Sequence, residues 1–85
     1  MNLLDLIIFL KDGTQQKMLI DTLRSSGIIE NNFFIESRKE GRIEIPLDSI
    51  DGFKIDVPKG YTYLLYESNM IILITAVGIL SKHLT

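Results

Sequence analysis

The sequence predicts an α+β domain: a mostly antiparallel sheet of about five or six strands with one amphipathic helix packed on it, in the order β-α-β-β-β-β-β. Three observations carry that expectation. Of the 85 residues, fourteen are isoleucine and one, Ala76, is alanine, so the chain is rich in a β-branched strand former and poor in the best helix former. Apolar residues alternate with period 2 in several short segments bounded by Gly, Pro, Asn or Asp. One segment combines helix start and stop signals with an apolar stripe at helical spacing.

The first strand is read in "LDLIIFL". Leu4, Leu6, Ile8 and Leu10 share one face and Leu3, Asp5, Ile7 and Phe9 the other, and bulky residues on both faces suit an interior strand. Leu3, Leu6, Ile7 and Leu10 also make a stripe, so a helix is the rival there. The helix is expected over residues 14–26. Asp12 and Thr14 are N-cap candidates, with Gln15 at capping-box spacing from Asp12. Leu19, Ile20 and Leu23 form the stripe, Gly27 supplies the left-handed residue past its end, and Ile28 the apolar residue that often follows.

"NNFFIESRKEGRIEIPL" reads as a hairpin turning at Lys39-Glu40-Gly41, with Gly41 left-handed. That register sets Arg38 against Arg42, Glu36 against Glu44 and Ile35 against Ile45. Phe33, Ile35, Ile43, Ile45 and Leu47 then share an apolar face, and Phe34 falls on the charged one. Pro46 marks an edge or a bulge. Asp48–Gly52 reads as a turn, and Phe53, Ile55 and Val57 as the apolar side of a short strand ended by Pro58 and Gly60.

"YTYLLYESNMIILITAVGIL", residues 61–80, admits three readings. A hairpin turning at Ser68-Asn69 puts the polar cluster Glu67-Ser68-Asn69 at the turn and the Tyr, Thr, Ile and Val residues in strands. A membrane helix has the minimum length, with Glu67 a third of the way in and Lys59 and Lys82 flanking. A buried helix is the third. The hairpin fits best, and both its faces are apolar, so one must be covered by something other than the single expected helix.

Composition narrows the chemistry. The chain has no cysteine and one histidine, His83, which excludes disulfides, Cys-ligated zinc, thiol catalysis and a His-based metal cluster within one chain. Small domains compensate for a small core with disulfides, metals or association, and association stays most open. A net charge of −2 with nine dispersed basic residues does not suggest a nucleic-acid binder. "MNLLDLIIFLKDG" lacks the basic start and small-residue cleavage site of a signal peptide.

No catalytic constellation emerges. Asp48, Asp51 and Asp56 lie near one another in sequence, and Glu36 and Glu44 pair in the expected register. Paired carboxylates suit metal binding or acid–base work, but with no His, Cys or Gly-rich loop beside them they read as turn and surface residues. Ser25 and Ser26 have no base nearby in sequence, and the "KDGT" turn reads as capping and not as a phosphate cradle. No catalytic residue, cofactor or metal is therefore expected.

The function expected is non-enzymatic: a small regulator or inhibitor, of a kind carried by phage or mobile elements, that self-associates as a homodimer or binds a larger protein. Its contact residues are expected to be Tyr61, Tyr63 and Tyr66, then Phe34 with Arg38 and Arg42. A cytoplasmic location is expected. The alternatives are a small membrane protein spanning the bilayer with residues 61–80, and a single-stranded nucleic-acid binder stacking bases on its aromatic residues.

Overall fold

The computed structural model describes residues 4–57 and 67–85. The strands are β1 (Asp5–Leu10), β2 (Gln15–Leu19), β3 (Leu23–Ile29), β4 (Asn32–Ser37), β5 (Gly41–Pro46) and β6 (Ile50–Asp56), followed by a helix, α1 (Glu67–Leu84). Short 3-10 turns lie at Ile20–Thr22 and Leu47–Ser49. The class is α+β. The strands form two three-stranded antiparallel sheets, β2-β1-β6 and β3-β4-β5, where a single larger sheet was expected, and the helix comes last and not second.

β1 is the interior strand its two-sided hydrophobicity predicts. Leu6 sits between Met18 of β2 and Ile55 of β6, and Ile8 between Gln16 and Phe53. Leu4, Leu6 and Ile8 point into the core, and Ile7 on the opposite face is also buried.

The expected helix over residues 14–26 is instead a strand, a corner and a second strand. Thr14 donates to Asp12 Oδ1 from its hydroxyl at 2.6 Å and from its backbone N–H at 2.9 Å. Those two bonds, side-chain first, hold the Asp12 carboxyl below its ordinary pKa. The same side-chain geometry caps helices and closes turns, and here it closes the β1–β2 hairpin, with Gly13 left-handed at φ 89°. Leu19, Ile20 and Leu23, read as a helical stripe, bracket the corner, where Thr22 Oγ1 donates to the Leu19 carbonyl at 2.8 Å. Pairing continues through it: the Ile20 N–H donates to the Leu4 carbonyl and the Arg38 N–H to that of Thr22. The stretch 15–29 thus leaves one sheet and enters the other, the device by which two sheets share a core.

The β4–β5 hairpin has the expected faces and a different register. Phe33, Ile35 and Ile45 are buried, and Gly41 is left-handed at φ 76°. Ser37 faces Gly41, Glu36 faces Arg42, Ile35 faces Ile43 and Phe34 faces Glu44. Ser37 Oγ accepts from the Glu40 N–H at 2.9 Å, and Arg38 is drawn toward the corner, so the loop is Arg38-Lys39-Glu40. This register sets opposite charges face to face, where the expected one set like charges together.

Pro46 ends β5, an edge strand as anticipated. The turn expected over Asp48–Gly52 falls earlier, at Leu47–Ser49, where Ser49 Oγ donates to the Pro46 carbonyl at 2.8 Å. Asp51 and Gly52 lie within β6, and Gly52 opposes Phe9, whose ring stands 3.8 Å from where a Cβ would be.

The expected hairpin in residues 61–80 is overturned for its described part. Residues 67–84 are one α-helix, and Ser68-Asn69 is its first turn and not a β-turn. Residues 61–66 lie outside the described residues. Asn69, Leu73, Ala76 and Leu80 recur at 3.6-residue spacing and are buried, the last three joining both sheets in one core. That packing outweighs the modest strand preference of Ile, Thr and Val. Glu67 in the first turn and Lys82 and His83 in the last match the helix dipole. No helix among the described residues is long and apolar enough to cross a membrane.

Candidate interaction surface

α1 is held on β3 by hydrogen bonds as well as by apolar packing. Asn69 Nδ2 donates to the Leu23 carbonyl at 2.9 Å, and Ser26 Oγ donates to the Ile72 carbonyl at 3.0 Å. The small Ser26 side chain lets strand and helix backbone come that close. Both bonds fix the rotation of α1 about its axis, and so they fix which residues face outward.

The outward face is aliphatic. Ile71 is 57% exposed, Ile74 63% and Met70 38%, with Thr75 and Gly78 beside them. A helix lying on a sheet ordinarily carries polar residues there. Next to this face an open groove of about 550 Å³ runs between helix and sheet. Ile28 and Leu47 line it from the sheet side and Ile74, Gly78 and Ile79 from α1, with Lys82 and His83 as its charged and titratable groups. Ile28, 51% exposed, opposes Phe33 in β4 and so extends the core-facing side of β3 into the groove.

No protein-family model matches this chain, and comparison with curated proteins and with solved structures finds no match. Its chemistry is therefore read from its own residues.

Of the contact residues expected from sequence, Phe34 and Arg42 come together. The Arg42 guanidinium carbon stands 4.1 Å from the Phe34 ring centroid, a cation–π contact across a strand diagonal. The ring also lies over Gly27 of β3: a Cβ there would stand 2.8 Å from Phe34 Cε1. Phe34 is consequently half-buried, flanked by Gly27 and Arg42 on the neighbouring strands. Arg38 lies apart from this pair in function: its Nη2 donates to the Asp21 carbonyl at 3.1 Å, tying the β4–β5 loop to the corner. It lines a depression of about 360 Å³ with Asp21, Arg24 and Ser68. Tyr61, Tyr63 and Tyr66 lie outside the described residues.

The buried polar side chains among the described residues have structural partners. Ser26 serves the helix carbonyl, and no buried side-chain nitrogen or oxygen among the described residues lacks a hydrogen bond. Glu36 and Glu44 do not face each other: Arg42 opposes the first and Phe34 the second. Among the described residues no group of three or more His, Asp and Glu is placed to hold a metal ion.

Sequence reasoning missed Ile28, Ile71, Ile74 and Gly78 as surface residues. The signal was present in the 69, 73, 76, 80 spacing, but β-branched composition and a polar triplet resembling a turn masked it.

Proposed function

We propose that this chain is a non-enzymatic protein-interaction module that acts by binding through the outer face of α1 and the groove beside it. The observation that supports this reading is the set of exposed aliphatic side chains, Ile71 and Ile74 with Ile28 nearby, on a helix whose rotation is fixed by Asn69 and Ser26. Contiguous apolar surface is uncommon on a lone soluble chain and marks contact sites. A helix laid against an apolar groove is a recurrent mode of protein recognition. The Phe34–Arg42 pair is a secondary candidate, because its ring is already flanked by residues of its own sheet.

The test is site-specific crosslinking in the cells that make the protein. A photo-crosslinking amino acid replaces Ile74 in one variant and Lys39, on the remote β4–β5 loop, in another. A discrete protein adduct from position 74 and none from position 39 is the expected result. Absence of any protein adduct at 74 overturns the reading.

A further inference from the structure

The outer stripe of α1 is self-complementary. It runs from Glu67 through Ile71, Ile74 and Gly78 to Lys82 and keeps to one side of the helix. The core residues Leu73, Ala76 and Leu80 occupy the opposite side. The stripe has an acidic end, an aliphatic middle and a basic end, and its charged ends are about 22 Å apart along the axis.

Resting on the assignment of this face to protein contact, we propose that its occupant is a second copy of this chain, with the two α1 helices antiparallel across a two-fold axis between Ile74 and Thr75. Glu67 of each copy then meets Lys82 of the other, and Ile71 of each meets Gly78 of the other. Gly78 is suited to receive a side chain, since a Cβ placed there would meet nothing within 4 Å. The groove beside it gives that side chain room. A parallel pair is disfavoured: it sets Glu67 against Glu67, Lys82 against Lys82, and like dipole ends together. The antiparallel pair is isologous, so every favourable contact occurs twice.

Sedimentation equilibrium of the full chain tests this. The expected mass is twice 9.7 kDa at concentrations of about 100 μM. Gly78→Leu leaves the monomer's helix content unchanged by circular dichroism and weakens association at least about tenfold, because it fills the receiving hollow. Glu67→Lys or Lys82→Glu alone weakens association by roughly tenfold, through two like-charge contacts per dimer. The double variant Glu67→Lys/Lys82→Glu recovers it, a result that only the antiparallel register produces. A wild-type monomer overturns the pairing, as does a dimer indifferent to Gly78→Leu or a charge swap without recovery. The crosslink at position 74 separates the two readings. An adduct with a different protein removes the second copy and keeps the contact surface; no adduct removes both.

Discussion

Phe34 shows how a single position links two strands to a third. Its ring covers Gly27 on one neighbouring strand and receives the Arg42 guanidinium from the other. An aromatic ring over a strand glycine replaces the packing that the glycine lacks. Gly27→Ala should therefore push the ring away and weaken the Arg42 contact, costing about 1 kcal/mol. In a Phe34→Ala background the same change should cost much less. A double-mutant cycle by urea unfolding measures the difference, and equal costs in both backgrounds would remove the coupling. Glu30 is the other unusual residue. It holds a left-handed φ of 55° in the Glu30-Asn31 turn of the β3–β4 hairpin, a position that favours glycine.

At the scale of elements, α1 decides most. Its sequence has strand-like composition, and a helix so rich in β-branched residues gains little stability from propensity alone. The helix is stabilised by what it buries: Leu73, Ala76 and Leu80 in the core, and the buried Asn69 amide on Leu23. Asn69→Ala removes that bond and leaves the Leu23 carbonyl without its side-chain partner. The expected loss is about 1–3 kcal/mol, read as a lower urea midpoint by circular dichroism. A variant as stable as the parent would mean that apolar packing alone docks the helix. The corner at Ile20–Thr22 matters as much for the sheets. It carries the chain from β2 to β3, and Arg38 braces it through the Thr22 and Asp21 carbonyls.

At the scale of the whole molecule, the described residues set two three-stranded sheets and one helix around a small core, of a size at which association would add a sizeable share of stability. If two copies pair through α1, unfolding depends on concentration. Each tenfold increase in protein should raise the apparent unfolding free energy by about 1.4 kcal/mol. Thermal midpoints recorded over a hundredfold concentration range check this, and invariant midpoints would indicate a monomer.

Period-2 alternation was enough to find β1, β4, β5 and the strand that holds Phe53 and Ile55, because a strand's two faces are written directly into residue order, while Val57, expected on the same apolar side, lies past the end of β6 and is exposed. It was enough to place Phe34 on the charged face; the left-handed Gly41 came from the hairpin-loop pattern, and it opens β5 where a loop position was expected. The hairpin register moved because the Ser37 hydroxyl and the Arg38 contacts with the corner lie beyond what facing pairs reveal. The larger choices were made by tertiary structure. Asp12 and Thr14 supply a hydrogen-bonded turn that serves a helix start and a hairpin equally, so only pairing with β1 makes residues 15–19 a strand. Residues 67–84 carry β-branched composition and a helical spacing together, and propensity differences of a few tenths of a kcal/mol per residue cannot rank them. Burial of three helix side chains against two sheets is worth several times more, and it sets both the helix and the aliphatic face that α1 leaves outside.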